Sequence, residues 1–537
     1  MRIGSSVLLS FLVLGGWIAT AQGQTSSTSG GAGGGTGGAT PTVPPPATLF
    51  LDAVNITATR EEKSLKDTPA SVVVIDKEEM ETYLFNDIEE LIRYTPGVTV
   101  DRGFGADPFK QLNGFNIRGV GGNRILTLVD GNRMAERITD GTRNYVDLAF
   151  MKSVEIVRGP SGVLWGSDAM GGTVSYETLD PYDLLGPGKD WAVNASARYG
   201  SLDQSYNETL TGAYRLGEVE FLIGYSRWDA DQVELTKGRN VGGIWGDCGR
   251  PAQALDCDRI DPLDQGSNNL LAKAVWTGEG HQVSLTGEYY DQRVEVDQWS
   301  GRGVVSAGWR MDEYVQTQDL TRWRLSLEHA WEAGFVLFDK VDWQVTYHPQ
   351  NVDIEGERHR TGVSGLVVGQ EELFQRWRSY NEDFIDFDVQ FDKSFNPFGE
   401  RLVSGRLIYG IDGSNTTAAY VADDRTENLT TGAVTTSDSA GFFFANSDTL
   451  RLDGFAQLEI GFLDDRLIVT PGLRYSYTRI TPDPQDSYGE VAGFEPTETS
   501  WSDWLLALSV LYKVTGEVSV YAAYGEGFKT PTAEQLY

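Results

Sequence analysis

From Trp191 onward, apolar and polar positions alternate with a period of two. Trp191, Val193, Ala195, Ala197 and Tyr199 interleave with Ala192, Asn194, Ser196 and Arg198. The rhythm returns at Val219 to Tyr225, Val283 to Tyr289, Val341 to Tyr347, Ile385 to Phe391 and Leu467 to Tyr477. Such alternation predicts strands with one apolar, aromatic face and one polar face. A transmembrane barrel has this pattern, and so does a large soluble sandwich or propeller. Connection lengths separate the two. Tight joints at Gly217-Glu218, Glu279-Gly280, Ala333-Gly334, Asp464-Asp465 and Thr515-Gly516 alternate with long polar connections over 229–267, 292–317, 349–379, 415–447 and 479–499. Short turns on one rim and long loops on the other are the barrel pattern. About 13 antiparallel strands are predicted, an odd number that leaves a free last edge.

The residues before Trp191 follow other periods. Pro69 to Ile75 reads as a β-branched strand. Asp76 to Tyr94 reads as a helix with an apolar stripe at Leu84, Ile88, Leu91 and Ile92, stopped by Pro96-Gly97. Phe115 to Gly131 reads as two short strands flanking a Gly-rich turn, with Asp130-Gly131 closing the second. Val154 to Val157 adds another strand. The region is a compact α/β unit over 61–181, followed by the barrel over 182–537. Gly119, Gly121 and Gly122 do not form a phosphate loop, because no Lys-Ser/Thr pair follows and the next element is a strand.

Composition narrows the function. The formal charge of −33 over 537 residues excludes nucleic acid as a partner, since phosphate binding needs a basic surface. After the first twenty residues no apolar run approaches the roughly 18 residues of a spanning helix. Met1 to Ala21 has the form of a secretory signal: Arg2, an apolar stretch from Val7 to Trp17, and Ala19-Thr20-Ala21 as a cleavage site. Residues 22–48, rich in Gly, Ser and Pro, read as a disordered linker. Cys248 and Cys257 lie in a polar loop. They could close a disulfide after export, remain free thiols, or be part of an incomplete metal set. No nucleophile, base and orienting group stand out together, and no metal-ligand spacing appears, so an enzyme is not expected.

Three stretches carry a family resemblance. Asn116-Ile117-Arg118-Gly119-Val120-Gly121-Gly122-Asn123-Arg124, with Asp130 and the later Arg158-Gly159, resembles the plug domain of TonB-dependent outer-membrane receptors. Residues 49–60, containing Leu51-Asp52-Ala53-Val54-Asn55-Ile56-Thr57, resemble the TonB box. That segment adds a strand to the energy-coupling protein TonB, which works with ExbB-ExbD. A simple first plug strand is the alternative. Phe528-Lys529-Thr530-Pro531 is similar to the Phe-Arg-Ala-Pro box of haem and haemoglobin receptors, with Lys529 and Thr530 in place of Arg and Ala.

The resemblance implies an all-β transmembrane barrel in the bacterial outer membrane, contacting its lipid, with an N-terminal α/β plug. It implies that about 13 of roughly 22 strands are present, the C-terminal ones lacking. A 25-residue linker leaves no room for the folded signalling domain that some members carry. The implied activity is TonB-dependent import of an iron-containing nutrient, with haem or a haemoprotein leading and a ferric siderophore or cobalamin as the alternative. No covalently bound cofactor is implied; haem would be cargo. Imidazole suits haem iron, and His281, His329, His348 and His359 are the only histidines. His348 is expected to start an external loop and His359 to lie within it, where Arg358 and Arg360 could meet the propionates. Arg118, Arg124, Arg133 and Asp130 are expected either to lock the plug to the wall or to be solvated.

Overall fold

The structure is a computed structural model that describes residues 54–55, 57–100, 114–134, 146–233, 261–396, 403–438, 444–486, 488–489, 493, 495–516 and 518–536. The signal and linker stretches, both cysteines, and Leu51, Asp52, Ala53 and Ile56 lie outside these.

The N-terminal unit is built on a sheet in the order Val72–Asp76, Met151–Arg158, Gly172–Thr178, Ile125–Val129, Asn132–Arg133. Strand 172–178 runs parallel to 125–129 and antiparallel to 151–158. Ile75, Ile88, Leu91, Ile117, Val154, Ile156 and Val174 form its core. The Asp130-Gly131 joint has φ +47° and +77°, the two left-handed residues of a type I′ turn.

The long helix expected over 76–94 is instead two short ones, Lys77–Thr82 and Ile88–Leu91. Local capping wins over the apolar stripe. The Asp87 carboxylate accepts from Glu90 N at 2.8 Å, and Glu90 Oε2 accepts from Asn86 N at 2.9 Å. Leu84, assigned to the stripe, has φ +56° and is exposed.

The large sheet is an antiparallel meander from Trp191–Gly200 to Ser519–Gly525. The two outermost strands do not pair with each other, so the sheet is open. Its faces are the reverse of a soluble sandwich. On strand Ser205–Leu216, Tyr206, Leu210 and Tyr214 are more than half exposed, while Ser205, Thr211 and Ala213 are buried inward. On strand Trp309–Glu332, Trp323, Leu325 and Leu327 point outward and Arg324 and Ser326 inward. Trp323 to Trp331 covers about 27 Å of strand, or about 20 Å along the membrane normal at a tilt of ~40°. That is close to the ~25 Å apolar band of a membrane barrel.

Several expected loops are strand. Trp309–Glu332, Gln350–Gly362, Glu371–Phe395 and Val403–Asn428 continue well past the apolar band. Their outward face turns polar at Asn351, Asp353, Glu355 and Glu357, and the inward face mixes Val352 and Ile354 with Arg358 and Arg360, so no sustained hydrophobic alternation marks them, but the backbone ladder continues: Asp353 faces Asp319 and Ser379 on either side. His348 therefore sits at a break between strands Lys340–Tyr347 and Gln350–Gly362, and His359 is a strand residue. The last described element is the short helix Ala533–Leu536.

Candidate functional site

Among the described residues, the inward wall and the plug meet through several buried ion clusters, three of which surround the site. The first is centred on the type I′ turn. The Asp130 carboxylate accepts from Thr178 N at 2.8 Å, Thr178 Oγ1 at 2.7 Å and wall residue Arg324 Nη1 at 2.6 Å. Lys273 Nζ lies 4.0 Å away and pairs with Asp180 at 3.0 Å. Arg324 also donates to Glu288 at 3.0 Å. The Gln344 amide donates to the Asp130 carbonyl at 3.1 Å. Burial alone would raise the Asp130 pKa, but Lys273, Arg324 and the two Thr178 donors hold it well below the carboxylate range.

The second cluster holds the C-terminal end of residues 49–60, the stretch that resembles a TonB box. Val54-Asn55 pairs antiparallel with Lys63-Ser64. Thr57 N donates to Glu155 Oε2 at 2.8 Å, and Trp165 Nε1 donates to the Thr57 carbonyl at 2.7 Å. Arg60 is sandwiched between the Trp165 and Phe455 rings at 4.4 and 4.2 Å. It pairs with wall residues Asp388 at 2.7 Å and Asp412 at 3.3 Å. Arg474, fully buried, bridges Asp412 at 2.5 Å and Asp453 at 2.6 Å and donates to the Leu164 carbonyl at 3.1 Å.

The third cluster surrounds Asp168, which has φ +79°. Lys529 Nζ lies 2.8 Å away, Arg133 3.3 Å and Arg451 3.5 Å. Asp168 N donates to the Phe528 carbonyl at 3.0 Å. The Phe528-Lys529-Thr530-Pro531 box is thus bonded to the plug, and Thr530 is buried. Lysine in place of arginine keeps the charge that Asp168 needs.

Above this cluster, toward the long-loop rim, lies a cavity of about 70 Å³. Asn123, Arg133 and Met134 line its plug side, and Phe384, Asp386, Arg451 and Pro531 its wall side. It has room for a few waters; drug-sized ligand sites are about 300–1,000 Å³.

The other expected site residues divide. Arg118 bonds within the plug, to Ser71 Oγ at 3.1 Å, and Arg158 donates to the Pro96 carbonyl at 2.7 Å. Arg124 is exposed. Gly119, Gly122 and Gly159 have φ of +88°, +68° and +124°, while Gly121 lies against Asn116. Asp130 and Arg133, not Arg118 or Arg124, belong to the plug–wall clusters.

His348 is buried, bonded through Nε2 to Asp386 Oδ2 at 2.5 Å and stacked on Phe384 at 4.8 Å, just behind the cavity lining. His359 is far less covered and lies 3.5 Å from Glu357. Arg358 stacks on Phe374 at 4.6 Å and Arg360 on Trp309 at 4.8 Å. Strand alternation turns His359 and Glu357 to one face and Arg358 and Arg360 to the other. The expected grouping of one imidazole with two guanidinium groups is not assembled.

Sequence reasoning missed Arg60, Asp168, Arg324, Asp412 and Arg474 as site residues. Arg324 and Arg474 carry one readable signal: each occupies an inward phase between an outward Leu and an outward aromatic residue.

The family description TonB-dependent Receptor Plug Domain matches residues 64–173, and TonB dependent receptor-like, beta-barrel matches 263–537. The chain belongs to the TonB-dependent receptor family. Among curated relatives, the receptor is 25% identical to the Hemin receptor of Yersinia enterocolitica over 90% of this chain and 60% of that protein. It is also 25% identical to the Vitamin B12 transporter BtuB of Photobacterium profundum, over 90% of this chain and 63% of that one. A solved structure of the Serratia marcescens hemophore receptor HasR, in complex with its hemophore HasA and heme, superposes with TM-score 0.60 at 16% identity. The match covers 87% of this chain and 65% of that one. The receptor therefore spans somewhat under two thirds of the length of these proteins. Its fold implies an outer-membrane location.

Proposed function

We propose that this receptor imports an iron-bearing nutrient, haem foremost, across the outer membrane by TonB-coupled displacement of its plug. The carrying observation is the mechanical continuity at Thr57–Arg60. The C-terminal end of the 49–60 stretch bonds to the plug through Glu155 and Trp165 and to the wall through Asp388 and Asp412. A pull on the residues before it would load Thr57 and then Arg60, and withdrawing Arg60 leaves two wall carboxylates without that cation. A diffusion porin has no use for such an attachment.

Haem as cargo is supported by the hemin receptor and hemophore receptor relatives. Cobalamin, or another chelate, is the second reading, supported by the vitamin B12 transporter match at equal coverage. On either reading, cargo enters from the long-loop rim toward the cavity lined by Asn123, Met134, Phe384 and Pro531, which has room for a few waters and must widen as the plug moves to admit it. Haem titration of the full-length receptor, followed at the Soret band with cobalamin as competitor, tests this. A shifted band that weakens about tenfold in Phe384→Ala supports haem at the cavity, a loss of ~1.4 kcal/mol. A shifted band indifferent to Phe384→Ala moves the site elsewhere. No shift, with cobalamin bound, replaces haem by the second reading.

A further inference from the structure

One connection on the short-turn rim differs from its neighbours. The turns at 217–218, 279–280 and 463–466 carry Glu218, Glu279, Asp464 and Asp465 at their tips. Residues 333–339 read Ala-Gly-Phe-Val-Leu-Phe-Asp. Phe335 is 51% exposed, Val336 90% and Leu337 72%. An exposed apolar run of this size needs a reason.

The turn is folded back over the outside of the barrel. The Phe335 ring packs edge-on against Trp331 at 5.6 Å, and Phe338 packs on Phe391 at 5.2 Å. Phe391 in turn stacks on Tyr409 at 5.2 Å. Trp331, Phe391 and Tyr409 share the outward phase of Leu325 and Leu327, so the turn extends the lipid-facing surface and its aromatic rim.

Part of its polar backbone is paired. The Phe335 carbonyl accepts from Lys393 Nζ at 2.9 Å, and the Leu337 carbonyl from Tyr409 Oη at 3.2 Å. Ala333 N and Gly334 N donate to the Asp339 carbonyl at 2.8 and 3.0 Å, and Asp339 N donates to the Asp392 carbonyl at 2.7 Å. The one charged side chain of the turn, Asp339, pairs with Lys393 at 2.6 Å. The N–H groups of Phe335, Val336, Leu337 and Phe338 have no partner among the described residues, so the backbone stays among hydrated headgroups and only the side chains reach hydrocarbon. Those side chains continue the lipid-facing phase of Trp331, Phe391 and Tyr409, where the neighbour is acyl chain.

We propose that residues 333–339 are a lipid anchor. The side chains of Phe335, Val336 and Leu337 enter the hydrocarbon of the leaflet on the short-turn side, and Lys393 and Tyr409 hold the turn against the barrel wall. The occupant of the exposed face is phospholipid acyl chain. The anchor fixes the height of the barrel in the membrane while the plug is pulled. This rests on the membrane reading of the barrel, so its test carries a control for that reading.

The test is nitroxide depth measurement on the full-length receptor in phospholipid vesicles, comparing collisions with oxygen, which favours lipid, and with a water-soluble nickel chelate. Labels are placed by Val336→Cys and separately by Leu337→Cys, in a Cys248→Ser, Cys257→Ser background. Retained folding is checked by heat-modifiable gel mobility. Leu325→Cys marks the apolar band and Glu279→Cys a polar turn. The expected oxygen-to-nickel ratio at Val336 and Leu337 matches Leu325 and exceeds Glu279 several-fold. A ratio at both sites equal to that at Glu279, with Leu325 still in lipid, overturns the anchor alone. Leu325 in water as well overturns the membrane reading beneath it. Protection from both quenchers at Val336 means protein covers the turn and also overturns the proposal.

Discussion

Asp130→Asn should loosen the plug from the barrel wall without reshaping the turn. Asparagine is isosteric and can still accept from Thr178, so the type I′ joint is kept. What is lost is the charge facing Arg324 at 2.6 Å and Lys273 at 4.0 Å. The side chains of Asp130 and Arg324 are 10% and 6% exposed, so solvent screens the pair little. Removing one partner of a buried pair costs about 3–5 kcal/mol. Here Arg324 retains Glu288 at 3.0 Å and Lys273 retains Asp180 at 3.0 Å. The lower end, about 3 kcal/mol, therefore applies. Local opening of the plug sheet should become roughly 100-fold more frequent. Hydrogen exchange of residues 125–134 and 172–178 in the folded receptor reads this directly. A double-mutant cycle with Arg324→Gln should give a coupling of about 1.5–3 kcal/mol. The pH dependence is also set. A carboxyl held below its ordinary value of 3.8 stabilises the fold above that value and loses the effect only in acid. Because Asp130 also raises Glu177, the comparison is made in a Glu177→Gln background, where the difference between variant and parent should stay flat from pH 5 to pH 8. Exchange altered by less than about threefold, below ~0.7 kcal/mol, would refute the clamp. Strict additivity with Arg324→Gln would do the same.

Three further outcomes follow from the geometry. Arg60→Ala should release the Thr57–Arg60 segment, raising its susceptibility to a protease acting from the short-turn side at least tenfold. It removes two carboxylate contacts and two ring contacts, about 2–4 kcal/mol together; unchanged cleavage would show that the segment is held elsewhere. Gly166→Ala should destabilise the receptor by about 2 kcal/mol or more. Its φ is +77°, and a Cβ would fall 2.6 Å from Asp453 Oδ2, so thermal unfolding at the parent temperature would contradict the placement. Burial, with Asp130 nearby, pushes the Glu177 carboxyl up. A raised carboxyl stabilises the fold below its ordinary value of 4.5 and costs stability as pH rises through the folded value. Glu177→Gln should therefore gain melting temperature over the parent at pH 8 but not at pH 4, and an equal gain at both would count against it.

The site was legible in proportion to how local its signals are. The Asp130-Gly131 turn could be read because left-handed backbone restricts which residues fit. The box at Phe528–Pro531 could be read as a motif, but not its partner. Lys529 meets Asp168, far away in the plug, and nothing near either residue points to the other. The helix over 76–94 was overread because an apolar stripe was weighed without the caps at Asn86 and Asp87. The strands beyond the apolar band were underread because Asn351, Asp353, Glu355 and Glu357 alternate with inward residues that include Arg358 and Arg360. A polar outward face beside an inward face that mixes Val352 and Ile354 with arginines gives no sustained hydrophobic period.

By itself, the sequence determined the strand phase in the membrane band, the plug core and the rhythm of short and long connections. Each depends on burial or chain geometry within a few residues, which composition and spacing record. Only the tertiary structure decided which charges meet. Asp130 and Arg324 are 194 residues apart, and Arg60 and Asp388 are 328 apart. Their pairing depends on the register of the whole barrel around the docked plug. It also decided that His359 turns away from Arg358 and Arg360, because a strand formed where its ladder partners on both sides were extended.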